Sequence, residues 1–333
     1  MKWKKAILGA LTIGAAASLA LTGCSSSGGS GGSSPNSSSG PKSYKLAFIP
    51  GVIGDQFYIT MQCGIQEAAK AAGAAVATQG PAKFDPTLQK PIIDSVVASH
   101  PDALLVAPTD QTAMQAPIAA AKAAGIKVVL VDTTLTDPSV AVSQISSDNL
   151  AGGAAAFKAI EQAHPNGGKV LVISVDPGIT TTDLREQGFK EAAAKDSKFS
   201  YLGVQYSHNQ PATAAQLVTA ALQKDPDIVG IFAANLFASQ GSATGIQQSG
   251  KTGITLVGFD AGPAQVQQLK EGQVQALIAQ QPSTIGKDGV EQAIAALNGK
   301  SVTAKIQTGF TIVTKDNLDS SAGQAALYKS SCN

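Results

Sequence analysis

The sequence predicts an α/β protein built from two doubly wound (Rossmann-like) parallel-sheet domains. From about residue 43 onward, short apolar segments alternate with helical segments at intervals of about 25–30 residues. The apolar segments are continuous runs, which is typical of parallel strands covered by helices on both faces. The alternation restarts near residue 150, and the body of roughly 290 residues is near the size at which a chain divides into two domains.

The first half of the body supplies five predicted strands and three predicted helices. Asp85 and Pro86 have the N-cap and first-turn chemistry of a helix start, and Gly73 and Gly125 each follow a predicted helix end. The strands are predicted at residues 45–49, 74–78, 103–106, 127–132 and 140–145, and the helices at residues 57–72, 86–99 and 112–124.

The second half repeats the alternation from a helix onward. We predict strands at residues 169–175, 201–206, 228–233, 254–259, 276–280 and 310–314. The predicted helices lie at residues 150–163, 183–194, 211–224, 237–249, 263–271 and 284–297.

Arg185 is the only arginine in the 333 residues, and it follows the predicted strand at 169–175. Ligands of open α/β sheets bind beyond the carboxyl ends of strands, and a guanidinium suits bidentate binding of oxygen pairs. The sequence therefore favours a site residue. The alternative is a helix-surface charge paired with Glu186 or Asp183.

Polar and aromatic side chains follow the ends of strands in both halves. Binding clefts favour domain interfaces, and carboxylates, amides and a guanidinium together suit a neutral polyhydroxylated ligand whose apolar faces are covered by rings. No single position is specific, because a lone aspartate at a strand end is commonly a cap. The strand ends carry Asp55, Phe57, Tyr58, Asp132, Thr133, residues 180–182, Arg185, His208, Asn209, Asn235, Asp260 and Gln280.

Several segments resemble the sugar-binding proteins of bacterial ABC uptake transporters, specifically the ribose-binding type with the type I periplasmic-binding fold. The resemblance covers residues 44–315. The segments that carry it are Leu105-Val-Ala-Pro-Thr-Asp110, Ser147-Asp-Asn149 with Gly152-Gly153, Arg185-Glu-Gln-Gly-Phe189, Val257-Gly-Phe-Asp260 and Ile278-Ala-Gln280.

The resemblance implies roles for individual residues. Phe57 and Tyr58 occupy the aromatic positions that sandwich the sugar. The hydrogen-bonding positions are occupied by Asp132, Arg185, Asn235, Asp260 and Gln280.

Three departures from the ribose-type pattern make ribose itself doubtful. Asp55 stands at an asparagine position, Thr133 replaces an arginine, and Asn209 lies where a further aromatic is usual. An acyclic polyol or another pentose-like ligand is therefore equally expected.

The resemblance also implies a three-segment hinge, with crossings near residues 145–147, 280–282 and 308–310. The N-terminal domain would comprise residues 43–145 and 281–309. The C-terminal domain would comprise residues 146–280 and 310–333.

The N-terminus has the features of a lipoprotein signal peptide over residues 1–23. Three lysines precede an apolar run at residues 6–21, which is shorter than the ~20 residues of a membrane-spanning helix. Leu21-Thr-Gly-Cys24 resembles the lipobox of bacterial lipoproteins, which implies lipidation of Cys24 and an anchor on the outer face of the cell membrane or in the periplasm. An ordinary secretory signal with a chance cysteine is the alternative.

Residues 24–42 are predicted to form a flexible tether, because residues 25–41 are almost wholly serine and glycine. The formal net charge is +1, and no basic cluster follows the signal peptide, so a nucleic-acid partner is not expected. The expected partners are the ligand and the permease and ATPase subunits of a transporter, and the protein is expected to be a monomer.

Other classes of function fit the sequence less well. Gly51-Val-Ile-Gly54 does not match a dinucleotide-binding loop, and the three histidines are scattered, so no enzyme, cofactor or metal site is expected. A repressor would need a helix-turn-helix headpiece before residue 43, where the signal and tether stand. A receptor that presents bound ligand to a sensor or chemotaxis system remains an alternative.

The two cysteines of the body are Cys63 and Cys332. In an exported protein they predict one disulfide that pins the C-terminal residues to the first domain. The alternative is a buried thiol and a free thiol.

Overall fold

The computed structural model describes residues 43–332. The predicted signal peptide, Cys24 and the predicted tether lie outside the described residues, as does Asn333. Within the described part of the chain, no helix is long and apolar enough to cross a membrane.

The body contains two six-stranded sheets, with strand orders β11-β5-β4-β3-β1-β2 and β12-β10-β9-β8-β6-β7. All pairs in the first sheet are parallel, and in the second only β12 is antiparallel, against β10. The strands are β1 Lys45–Ile49, β2 Ala75–Thr78, β3 Ala103–Val106, β4 Lys127–Val131, β5 Ser143–Ser147, β6 Gly168–Ser174, β7 Phe199–Tyr206, β8 Ile228–Ala233, β9 Thr255–Phe259, β10 Ala276–Ala279, β11 Lys305–Thr308 and β12 Thr311–Thr314.

Helices connect most successive parallel strands, whereas only a 3₁₀ turn lies between the parallel strands β4 and β5. The helices are α1 Gln56–Ala71, α2 Pro86–Ala98, α3 Gln115–Ala123, α4 Asn149–Ala163, α5 Thr180–Ala193, α6 Pro211–Lys224, α7 Leu236–Ser249, α8 Pro263–Glu271, α9 Pro282–Leu297 and α10 Ser321–Ala325, with a 3₁₀ turn at Pro138–Val140.

The central strands form the core of each sheet because helices cover both of their faces. Every residue of β3 and of β9 is buried, and Phe48, Phe232 and Phe259 are fully enclosed. Burial on both faces explains why these strands appear in the sequence as unbroken apolar runs.

Three connections carry the chain from one sheet to the other: β5 to α4, β10 to α9, and β11 to β12. Only Gly309 and Phe310 separate β11, at the edge of the first sheet, from β12, in the second. Side chains at these connections contact each other, since the hydroxyl of Ser147 donates to Oε1 of Gln280 at 2.7 Å and lies 3.5 Å from that of Thr308.

Some element boundaries differ from the prediction. Strand β11 was not predicted, because Lys-Ile-Gln-Thr is short and mostly polar and pairs only along one edge, with β5. Helix α3 starts at Gln115 because the carboxylate of Asp110 accepts from the amides of Thr112 and Ala113 and holds them in a turn. Helix α5 starts at Thr180, three residues before the predicted position.

The C-terminal residues lie against the body and are bonded to it covalently. Cys63 in α1 forms a disulfide with Cys332, and their Cα atoms are 5.0 Å apart. Leu318 and Tyr328 are 3% and 5% exposed and belong to the core, while Ala326 and Leu327 are half-buried against it.

Candidate ligand-binding site

The carboxyl ends of strands from both sheets meet around one cavity of about 400 Å³, including the part open to solvent. Nine of the ten predicted ligand-binding residues line it. The lining residues are Asp55, Phe57, Tyr58, Phe84, Asp132, Val175, Ile179, Thr181, Thr182, Arg185, Asn209, Asn235, Asp260 and Gln280.

Asp132 and Asp260 occupy equivalent places in the two sheets, one residue beyond β4 and β9. Their amides still bond to the neighbouring strand, at Ile145 (2.8 Å) and Ile278 (2.9 Å). Both have a positive φ, 66° and 76°, a conformation that is uncommon for residues other than glycine. Both carboxylates belong to these left-handed residues and lie on the cavity wall. Residues with an unfavourable backbone conformation are commonly found at functional sites.

Arg185 is 3% exposed and lies at the cavity wall, in the second turn of α5. Its Nε donates to Oδ1 of Asn149 and one Nη donates to the carbonyl of Ala234, both at 2.8 Å. The guanidinium carbon lies 3.7 Å from the centroid of the Phe259 ring. A guanidinium has five donors, so three remain available to a ligand, and the ring below fixes its plane.

The aromatic side chains are arranged differently from the predicted sandwich. The rings of Phe57 and Tyr58 contact each other edge to face, with centroids 5.1 Å apart and planes at 77°. No ligand fits between rings at that distance. Phe84, from the loop before α2, supplies a third ring on the cavity wall. If two rings enclose a ligand between them, one of the two must therefore be Phe84.

Tyr58 also has a polar role. Its hydroxyl donates to Oδ2 of Asp132 at 2.7 Å, and both side chains are buried. The bond holds the carboxylate in place and leaves its other oxygen for a ligand hydroxyl.

The two asparagines of the cavity wall bond to each other. Nδ2 of Asn235 donates to Oδ1 of Asn209 at 2.7 Å, and Oδ1 of Asn235 accepts from the amide of Ala238 as the cap of α7. The amide hydrogens of Asn209 remain for the cavity. Thr133 is buried but does not line the cavity, because its hydroxyl donates to the carbonyl of Pro108 at 2.7 Å.

Asp55 caps α1, since its Oδ1 accepts from the amide of Phe57 at 2.8 Å. It also lines the cavity, so capping and site roles coincide at this residue. Burial, and then the charge of Asp260, raises the pKa of Asp55 to about 7.

The remaining charges of the cavity are also desolvated. Burial raises the pKa of Asp132 to about 6, against the opposing charge of Arg185. Burial also raises the pKa of Asp260 and lowers that of Arg185. Three carboxyl groups thus surround one guanidinium, and hydroxyl donors from a ligand would stabilise the ionised carboxylates. In residues 43–332, no cluster of histidine, cysteine or acidic side chains is placed to hold a metal.

Sequence reasoning missed several lining residues. Phe84 follows a Gly-Pro-Ala-Lys loop rather than a strand end, and only its position before the Asp85 cap could have indicated it. Val175 and Ile179 are apolar and gave no signal of function. Tyr328 does not line the cavity but donates a hydrogen bond to Asp260, which does. The sequence did not indicate this role, because Tyr328 is 68 residues away from Asp260 along the chain.

Comparison with known proteins identifies the family. A family model described as a periplasmic binding protein domain matches residues 46–301. A solved ABC transporter solute-binding protein from Agrobacterium vitis, bound with alpha-D-tagatopyranose, is 42% identical, with a TM-score of 0.84 and coverage of 86% of this chain and 99% of that one. A second one from the same species, with bound D-fucose, is 30% identical, with a TM-score of 0.82 and coverage of 85% and 100%.

A curated relative is more distant in sequence. The ribose import binding protein RbsB of Bacillus subtilis is 29% identical over 84% of this chain and 90% of its own length.

The chain belongs to the periplasmic binding protein family. The predicted type I periplasmic-binding fold is confirmed, as is the predicted class of function, a solute-binding protein of an ABC transporter. The relatives are binding proteins and not enzymes, in agreement with the prediction. This periplasmic binding protein is accordingly extracytoplasmic.

Replacing Arg185 with lysine tests the guanidinium. We expect Arg185→Lys to weaken binding about 10- to 150-fold, about 1.5–3 kcal/mol, because one ammonium cannot reproduce several fixed donors. Stability should also fall, since the bonds to Asn149 and Ala234 cannot both be kept. Calorimetry measures the affinity, with D-tagatose and D-fucose, the sugars bound to the two solved relatives, as probes. Thermal unfolding measures the stability.

Lys190→Arg, on the exposed side of the same helix, is the matched control and should change neither value. Unaltered affinity in Arg185→Lys would remove Arg185 from the site.

The raised pKa values of Asp55 and Asp132 predict a pH-dependent stability. Above about pH 4 the unfolded chain, with an aspartate pKa of 3.8, has lost these protons, whereas the folded protein retains the proton of Asp132 up to about pH 6 and that of Asp55 up to about pH 7. The free energy of unfolding of the ligand-free protein should therefore decrease as pH rises through this window. The slope is at most about 1.4 kcal/mol per pH unit for each proton.

Urea unfolding at several pH values measures this slope. Asp55→Asn should reduce it, while Asp316→Asn, at an exposed position, should not. A stability that rises with pH across the window, or an unchanged slope in Asp55→Asn, would contradict the assignment.

Proposed function

We propose that the protein captures a small sugar or polyol in this cavity and delivers it to the permease of an ABC importer. The observation that carries the proposal is the convergence of three carboxyl groups, a guanidinium and three side-chain amides with three aromatic rings on one cavity wall. Sugar hydroxyls donate to carboxylates and accept from guanidinium and amide groups, and rings cover the C–H faces.

A ring-form monosaccharide other than ribose is the proposed ligand, with a polyol as the alternative. Asp55 places a carboxyl group where the ribose type has a side-chain amide, which changes the hydrogen-bonding groups offered to the ligand, and the relative at 42% identity has bound a tagatopyranose. A hexose offers one more hydroxyl donor than a pentose in the same ring form to the three carboxyl groups.

Capture would occur by closure of two domains about the three connections between the sheets. The proposed domains are residues 43–145 with 281–309, and residues 146–280 with 310–333. The ligand would favour the closed form because Asp132 and Arg185 extend from different sheets and their helices. The two halves already contact each other, since the amide of Thr134, which follows β4, donates to the hydroxyl of Thr180, in α5, at 2.9 Å.

A sugar screen by thermal shift, followed by calorimetry, tests the proposal. At least one monosaccharide or polyol should raise the Tm in proportion to the logarithm of its concentration, since only the folded state binds it. Asp132→Asn should abolish the shift while Asp316→Asn retains it. The absence of a shift with all pentoses, hexoses, 6-deoxyhexoses and polyols would refute a sugar-binding function.

The proposal places the protein on the outer face of the membrane through a lipid on Cys24, with residues 24–42 as the tether and the body as a monomer. The signal-like N-terminus and Leu21-Thr-Gly-Cys24 support it. Cys24→Ala should release the protein from the membrane fraction, and mass spectrometry of the wild type should find a diacylglycerol adduct at this cysteine. If the wild-type protein is found in the soluble fraction without a lipid, the anchor is refuted and the N-terminus is an ordinary secretory signal.

A further inference from the structure

The C-terminal tail, residues 326–332, passes directly beneath the ligand site. Tyr328 is 5% exposed, and its amide donates to the carbonyl of Ala261 at 3.0 Å. Its hydroxyl donates to Oδ1 of Asp260 at 3.0 Å and accepts from the amide of Gln280 at 2.9 Å. One tail side chain thus contacts two lining residues of the cavity from behind.

These bonds largely determine the position of the Asp260 carboxylate. Oδ1 also accepts from Nε2 of Gln280 at 2.7 Å, and Oδ2 accepts from the amide of Leu236 at 2.9 Å. Of about four acceptor positions on a carboxylate, three are occupied by protein donors. The free position, on Oδ2, is left for a ligand, and its direction depends on the donors to Oδ1.

Beyond Tyr328 the tail is fixed to α1, which belongs to the first sheet's half of the molecule. The amide of Lys329 donates to the hydroxyl of Thr60 at 2.8 Å, and Cys332 is disulfide-bonded to Cys63. The ring of Phe57, in the first turn of the same helix, lies 6.0 Å from the ring of Tyr328. The tail is therefore a fourth link between the two halves, and it is closed by a covalent bond.

We propose that Tyr328 is a positioning residue of the ligand site. The tail, anchored by the Cys63–Cys332 disulfide, holds the tyrosine hydroxyl against Asp260 and thereby sets the affinity and the hydroxyl selectivity of the cavity. The inference rests on the proposed function, because affinity for a sugar is its readout. A tail that only stabilises the fold would lower the Tm without altering which hydroxyls the cavity distinguishes.

The experiment compares Tyr328→Phe with Tyr44→Phe in the full chain. Both variants lose one hydroxyl, and that of Tyr44 donates at 2.8 Å to Asn298, outside the cavity lining. The probes are the sugar that binds the wild type most tightly and its set of mono-deoxy analogues. We expect about tenfold weaker binding of the parent sugar by Tyr328→Phe, the effect of about one hydrogen bond to a charged group.

The loss should concentrate on one hydroxyl. In the wild type, the analogue that lacks the hydroxyl bound by Asp260 should bind more weakly than the parent sugar. In Tyr328→Phe, the difference in affinity between this analogue and the parent sugar should be much smaller. Tyr44→Phe should keep the wild-type pattern. Equal affinities and equal analogue penalties in Tyr328→Phe and the wild type would overturn the proposal.

Reduction of the disulfide tests the anchor. Dithiothreitol should weaken sugar binding by the wild type a few-fold and should have a smaller effect in Tyr328→Phe, because the hydroxyl through which the anchor acts is already absent. Equal losses in the two proteins, or no loss in the wild type, would refute the role of the anchor.

A ligand-free measurement separates this inference from the proposed function. Amide exchange at Leu236, which bonds to Asp260, should accelerate in Tyr328→Phe relative to Tyr44→Phe, even where no tested sugar binds the wild type. Failure of the sugar screen would refute the proposed function alone. Unchanged exchange at Leu236 would refute the positioning of Asp260 by Tyr328.

Discussion

The enclosure of one guanidinium among three carboxyl groups is the constraint on which the site depends. Arg185 and the carboxyls of Asp55, Asp132 and Asp260 are each at most 6% exposed. Burying ions is costly unless charges and hydrogen bonds compensate them. Arg185 offsets part of this cost, and protonation of Asp55 offsets another part, since its pKa is about 7. A polyhydroxylated ligand would supply the donors that the carboxylates lack.

The position of these groups follows from the two-sheet architecture. In each sheet, one central strand is followed by an aspartate with a positive φ: Asp132 after β4 and Asp260 after β9. The backbone amide of each aspartate still bonds to the neighbouring strand, and its carboxylate lies on the cavity wall. Because Asp132 and Asp260 come from different sheets, a ligand that bonded to both would gain its full binding energy only with the two halves close together. The proposed closure would then be coupled to occupancy of the cavity.

The connections between the sheets are polar and bonded to the site. Ser147 donates to Gln280, and Gln280 donates to Asp260, so two of the three connections are linked by hydrogen bonds to a lining carboxylate. Tyr328 of the C-terminal tail donates to the same carboxylate oxygen as Gln280. Residues at the connections between the sheets and residues of the cavity wall therefore belong to one buried network, in which the removal of one partner affects the others.

The sequence by itself determined the fold class and most of the cavity wall. Unbroken apolar strands such as β3 and β9 reflect burial on both faces, and residues just beyond parallel strands must lie at the sheet's carboxyl edge, so Asp132, Arg185 and Asp260 could be named in advance. These are local properties of the chain.

Tertiary structure decided what depends on contacts between distant segments. Edge strand β11 pairs only with β5, so its formation depends on that strand. Thr133 does not line the cavity because its hydroxyl donates to the carbonyl of Pro108. Phe84 joins the site from a loop. Tyr328 is 68 residues from Asp260, and no local pattern encodes a bond between residues that only folding of both sheets and closure of the tail bring together.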